Sequence, residues 1–150
     1  MQIRPARKDD FPGWLKLWNG YNAFYGRSGA TALPAEVTET TWKRFFDASE
    51  PVHALVAELD ARLVGLTHYL FHRSTTLIAP ICYLQDLFVD ASVRGTGCGR
   101  ALIKRLGQVA RERDCLRLYW TTKQDNATAR LLYDRLAKFN GFIRYDYAPG

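Results

Sequence analysis

Between Val93 and Leu106 the chain reads VRGTGCGRALIKRL. Glycines stand at positions 95, 97 and 99, and apolar and basic residues follow at helical spacing. A helix that starts near Gly97 leaves its first amide N–H groups without intrahelical partners, at the positive end of the helix dipole. Glycines let the backbone bend and let a ligand come close. Such a place is a ready phosphate site. Arg94 and Arg100 add positive charge on either side.

Three phosphate-binding patterns compete for this stretch. A P-loop needs Lys and then Ser or Thr after its last glycine. Arg100 and Ala101 stand there instead. A dinucleotide fingerprint counted from Gly95 needs a third glycine at position 100 and an acidic residue closing the next strand. Position 100 is Arg, and the next strand closes with Tyr119 and Trp120. The third pattern is Arg/Gln-x-x-Gly-x-Gly/Ala, and Arg94, Gly97 and Gly99 match it.

Other reactive side chains carry weaker signals. His68 and His72 lie four apart in one strand and share a face, but the sequence offers no third metal ligand, so they read as ordinary sheet histidines and no metal is expected. Cys98 sits at a helix start, which can lower a thiol pKa. It reads as a small residue in a crowded loop. The three cysteines, Cys82, Cys98 and Cys115, show no paired spacing and read as reduced thiols.

These residues need elements to hold them. Gln2 to Ala6 reads as an edge strand. A helix from Phe11 to Tyr25, capped by Asp9 or Asp10, follows, with Phe11, Trp14, Leu15, Trp18, Tyr21 and Tyr25 at helical spacing. Ala35 to Ala48 gives a second helix. His53–Leu59 and Leu63–Arg73 form a hairpin, and Cys82–Val89 is a third central strand. A helix runs from the glycines to Arg113. Leu116–Trp120 is a strand, Asn126–Phe139 a helix capped by Asn126 and stopped by Gly141, and Phe142–Tyr147 a last strand. The order β-α-α-β-β-β-α-β-α-β predicts one mixed α/β domain over residues 1–150, a mostly antiparallel twisted sheet flanked by helices.

Composition bounds the setting. The 150 residues are 47% apolar, with 21 Lys and Arg against 15 Asp and Glu, a net charge of +6. Anionic partners are favoured. No long basic block and no nucleic-acid motif occurs, so nucleic acid is not expected. No apolar run spans a bilayer, and the first ten residues lack the apolar stretch of a signal peptide. A soluble, cytoplasmic protein without a membrane partner is the expectation.

The segments YLQDLFVDASVRGTGCGRALI and NATARLLYDRLAKFNGF, with the early IRPARKDD and LVG, resemble the GNAT superfamily of N-acetyltransferases, which use acetyl-coenzyme A. The likeness covers nearly the whole chain. YLQDLFV with NATARLLY looks most similar to the polyamine (diamine) acetyltransferases and related small-amine or histone-type enzymes. The resemblance implies the GNAT fold and a set of roles. Amides of Gly95, Thr96, Gly97, Cys98, Gly99 and Arg100, with Arg94, would hold the pyrophosphate. The main chain of Leu87, Phe88 and Val89 would pair with the pantetheine arm, which Asn126 would also contact. The strand Leu116–Trp120 would splay away to open a slot for the thioester.

For the chemistry, an amine must lose a proton and a thiolate must gain one. Periodicity alone puts Tyr133 on an apolar face with Ala129 and Leu136; the resemblance makes it the acid for the sulfur. The polyamine enzymes carry Glu-Asp where this chain has Gln85-Asp86, and Gln85 cannot accept a proton. Strand alternation points Asp86 to the opposite face from Gln85, to bind a cationic substrate or anchor a loop. Water leading to solvent can replace a side-chain base. Tyr25, in the aromatic cluster Trp18, Tyr21, Phe24 and Tyr25, is a candidate substrate contact. The expected activity is transfer of acetyl from acetyl-CoA to a primary amine, a small amine or polyamine or a protein lysine, by a homodimer. The rivals are a non-catalytic acyl-CoA-binding regulatory module and, on charge alone, a nucleic-acid binder.

Overall fold

The computed structural model describes residues 1–150. The chain divides into two compact units, Met1–Trp120 and Thr121–Gly150. The first holds five strands in sequence order: β1 (Gln2–Pro5), β2 (Val52–Leu59), β3 (Arg62–His72), β4 (Ile81–Val89) and β5 (Leu118–Tyr119). β1 to β4 are antiparallel neighbours, while β5 runs parallel to β4. Three helices accompany them: α1 (Phe11–Phe24), α2 (Ala35–Arg44) and α3 (Cys98–Glu112). The expected hairpin is closed by Asp60 and Ala61, both with positive φ (50° and 59°). That is the turn whose twist suits the two flanking strands.

Alternation along β3 sorts the core. Leu66 faces α1, where Trp14, Leu17 and Trp18 bury against it and Phe11, Trp42 and Phe45 pack around them. Gly65 faces the other way, toward α3. A Cβ there would lie 3.0 Å from Cys98 Sγ and 3.1 Å from Leu102 Cδ1, so glycine lets the helix sit down on the sheet. On the α1 side, a Cβ at Gly20 would lie 2.8 Å from Phe88 Cζ. The Phe88 ring therefore rests on bare helix backbone.

Asp10 stands at the start of α1 but does not cap it. Its carboxylate accepts from the Arg7 amide (2.7 Å) and pairs with Arg4 Nη1 (2.7 Å). Arg4 holds the Asp10 carboxyl below the usual carboxylate range, and Arg4 also bridges to Glu58. A charge on the edge strand outcompetes the local cap because it is itself nearly buried and needs an anion.

The second unit contains one helix, α4 (Ala127–Tyr133). Two expectations are corrected here. The helix ends at Tyr133 rather than Phe139, and Phe142–Tyr147 forms no strand. Phe142, Ile143, Tyr145 and Tyr147 are exposed. A strand needs a partner ladder as well as a pattern. β5, expected over Leu116–Trp120, spans only two residues. Asn126 precedes α4 without a side-chain cap, and its Nδ2 donates to Thr122 Oγ1 (3.2 Å).

Candidate active site

The middle of β4 breaks the period of two. His68 lies opposite Asp86 and Tyr69 opposite Leu84, so Gln85 is the extra residue of a bulge. The expectation that alternation turns Gln85 and Asp86 to opposite faces loses its premise at this point. Gln85 is exposed and Asp86 is buried. A bulge is a property of pairing, and nothing in YLQDLFV announces it.

Asp86 ends a buried polar chain. Trp14 Nε1 donates to His68 Nε2 (2.8 Å), and His68 Nδ1 meets Asp86 Oδ2 at 2.9 Å. The indole nitrogen can only donate, so His68 Nε2 must accept and carries no proton. The proton of the neutral ring then sits on Nδ1 and is donated to Asp86. A doubly protonated ring would set one N–H against another. The chain thus fixes the ring of His68 and, through its Nδ1, the position of the Asp86 carboxyl. Thr67 Oγ1 fixes the main chain at the same point by donating to the Asp86 carbonyl (2.9 Å). His68, read from the sequence as an ordinary sheet histidine, is the residue that aims Asp86. Its partners lie 54 and 18 positions away, so no local signal could have found it.

Aromatic side chains of α1 wall this carboxylate. Trp18 stacks on Tyr21 (5.4 Å between ring centroids), and Tyr21 contacts Tyr25 (5.0 Å) and Phe88 (6.5 Å, edge to face). Burial pushes the Tyr21 phenol up, and the neighbouring Asp86 charge pushes it further. The Tyr25 phenol is raised by burial and then by Asp86, with Arg27 acting the other way. Both phenols therefore stay protonated and can donate near Asp86.

The other flank of β4 is built from backbone. β5 pairs with it only at Cys82 and Tyr83. From Leu84 to Val89 no strand pairs with that edge, so the main chain of Leu87, Phe88 and Val89 has no ladder partner on that side. The chain then turns through Ala91–Val93 and reaches α3 by way of Gly95 (φ 79°) and Gly97 (φ 90°). A Cβ at either glycine would meet no protein atom within 4 Å, so their bareness serves the backbone path and outside access, not packing. Arg94, Gly95, Thr96, Gly97 and Arg100 are exposed and Gly99 is half-buried. The Arg94 guanidinium lies 5.8 Å over the Phe88 ring and donates to the Val89 carbonyl (3.2 Å). Cys98 is buried, and burial raises its thiol. Its place at the helix start does not make it reactive. An open strand edge beside a glycine-rich helix start suits a pantetheine pyrophosphate: amides for the arm, amides and arginine for the phosphates.

Among the remaining candidates, Tyr133 closes α4 and is half-buried. His72 lies apart from His68, its Nε2 3.0 Å from the Tyr119 hydroxyl.

A mixed sheet with a short parallel edge strand, and a glycine loop running into a helix, suits an acyl-CoA-dependent acyltransferase. The sequence model of the Acetyltransferase (GNAT) family matches residues 14–139, and the chain belongs to that family. It is 32% identical to the D-amino-acid N-acetyltransferase HPA3 of Saccharomyces cerevisiae, over 90% of this chain and 83% of that one. It is 34% identical to the thialysine N-epsilon-acetyltransferase of Bos taurus, over 91% and 82% of the two chains. In fold it is similar to AAC(6')-Iy in complex with the bisubstrate analog CoA-S-monomethyl-acetylneamine, with a TM-score of 0.83 at 14% identity over 99% of this chain and 98% of that one. The chain is an N-acetyltransferase whose acetyl donor is acetyl-CoA. No helix is long and apolar enough to cross a membrane.

Proposed function

We propose that this enzyme acetylates a small-molecule primary amine, with the acceptor's ammonium drawn to Asp86. The observation that carries this reading is the Trp14–His68–Asp86 chain, which holds a buried carboxyl group in place against the aromatic wall of α1. Acetyl-CoA supplies an activated acetyl thioester when bound. The amides from Gly95 to Arg100, with Arg94, hold its pyrophosphate, and the main chain of Leu87 to Val89 holds its arm, with Asn126 as a further contact. Gln85 sits at the bulge with no proton-accepting group, so proton removal passes to Asp86 or through it to water. Tyr133 donates a proton to the departing sulfur. Two relatives are named for amino-acid-like acceptors, which supports a small amine over a protein.

The whole chain acts as one catalytic domain, in the cytoplasm, as a homodimer; sedimentation of the purified protein checks the last point. Release of free thiol with a panel of amines tests the activity. Turnover with at least one small amine is expected. Coenzyme A binding without thiol release on any amine would leave a non-catalytic acyl-CoA module. Tyr133→Phe keeps the ring and removes the proton. It should lose about 10²–10⁴-fold in turnover with cofactor affinity retained. An unchanged rate would reduce Tyr133 to a packing residue.

A further inference from the structure

Arg27 is a cation held in place with nothing to bind. The chain leaves α1 at Tyr25 and turns at Gly26 (φ 77°). The Arg27 amide then donates to the Asn22 carbonyl (2.9 Å). Its Nε donates to Asn22 Oδ1 (2.7 Å), while Asn22 Nδ2 donates to the Trp18 carbonyl (2.9 Å). Asn22 is only 4% exposed, so this anchor is part of the core. The guanidinium lies 5.7 Å from the Tyr21 ring centroid and 5.4 Å from that of Tyr25. Its path is fixed by one hydrogen bond and two rings. Nη1 and Nη2 make no hydrogen bond or ion pair with the protein.

A long cationic side chain loses rotamer freedom when fixed in this way. Stacking on the rings recovers part of that loss. The two free amino groups still form a planar fork matched to a carboxylate. Tyr21, one of the two rings that carry Arg27, stacks on Trp18, and Trp18 packs against His68 (5.1 Å between ring centroids), the hydrogen-bond partner of Asp86. One wall therefore presents a carboxylate and a guanidinium, separated by phenol rings.

We propose that Arg27 is a specificity-determining residue that binds the carboxylate of the acceptor, so that the acceptor class is amino acids and not carboxylate-free amines. The inference rests on the acetyltransferase reading and adds the second anchoring point. An amine drawn to Asp86 and a carboxylate drawn to Arg27 fix a small zwitterion at both ends. A diamine would set its second ammonium against the guanidinium.

The test compares matched pairs: lysine with cadaverine, and phenylalanine with phenethylamine, each amino acid in both enantiomers. Within a pair the side chain is the same and only the carboxylate is removed. The parent enzyme should favour the amino acid in kcat/KM. Arg27→Gln should lower kcat/KM for the amino acid by about 10–100-fold, the scale of lost hydrogen bonds to a charged group, and leave the amine little changed. Arg27→Lys, which keeps charge without the fork, should fall between. Calorimetry on the coenzyme A-bound enzyme provides a readout without turnover: lysine should bind more weakly to Arg27→Gln, and cadaverine should not. Equal losses on both members of a pair, or a parent that prefers the amines, would overturn the assignment. Amino-acid binding lost in Arg27→Gln, in an enzyme that acetylates nothing, would uphold Arg27 and sink the proposed activity. Unchanged coenzyme A affinity in each variant certifies that the fold is intact.

Discussion

The two flanks of β4 are built by different means. Toward β5 and α3 the site is made of main chain: an open strand edge, two left-handed glycines and a helix start. Toward α1 it is made of side chains: Trp14, His68, Asp86, Tyr21, Tyr25 and Arg27. A main-chain site tolerates any side chain that leaves the path open, and its residues are consecutive. A side-chain site depends on each group's chemistry and on contacts between distant segments. The first suits a cofactor with invariant features, the second an acceptor that must be told from similar molecules.

The comparison breaks most sharply at the bulge. Asp86→Asn should reduce turnover by about 10²–10⁴-fold while coenzyme A binds as before. An aliphatic amine with pKa ~10.4 is almost all protonated at neutral pH, so the rate should rise with pH in the parent and more steeply in this variant. Gln85→Glu should move the rising limb of the pH–rate profile to lower pH by adding a carboxylate. If Asp86→Asn were neutral and the parent already ran at full rate below pH 7, the α1 flank would not handle the proton.

On the opposite flank, Gly97→Val should weaken coenzyme A by about 10–100-fold. The valine must adopt φ 90°, a strained conformation for a branched residue, and it fills open space at the helix start. Gly107→Ala is the control, because Gly107 lies inside α3 with nothing near its missing Cβ. It should keep affinity and gain a few tenths of a kcal/mol in stability, up to about 1 kcal/mol. Equal affinity for the two variants in titration calorimetry would remove the pyrophosphate from this loop.

His68→Phe probes the aiming of Asp86. It removes both hydrogen bonds and leaves the buried Trp14 N–H without a partner, at a cost of about 1–3 kcal/mol. Turnover should fall about tenfold, less than for Asp86→Asn, since the carboxylate remains but is no longer aimed. Adding Trp14→Phe removes the orphaned donor and should recover part of the stability but none of the rate. Recovery of both in thermal melts and kinetics would make the chain a packing device only. The smallest effect concerns Cys98. With its thiol buried and raised, iodoacetamide at pH 7.5 should modify it at under about one-tenth the rate of a free cysteine. Rapid labelling of Cys98 in the folded protein would mean that the glycine loop opens.

The sequence by itself determined the glycine-rich flank. Arg94, Gly97 and Gly99 in register with a helix start are a local pattern, and local backbone geometry follows from consecutive residues. The hairpin, β4 and α1 to α3 were legible for the same reason: periodicity and turn residues act over a few positions. The tertiary structure alone decided the rest. The bulge at Gln85 exists only in the pairing of β4 with β3, so alternation alone could not locate it. Asp10 passed from cap to ion pair because Arg4 was brought beside it. Residues 142–147 have a strand's composition, yet they join no ladder. The α1 flank joins Trp14 to His68 and Asp86 across more than fifty positions, and Arg27 is placed by the rings it stacks on. Side-chain recognition is a matter of what folding brings within 3 Å, and spacing along the chain does not encode that distance.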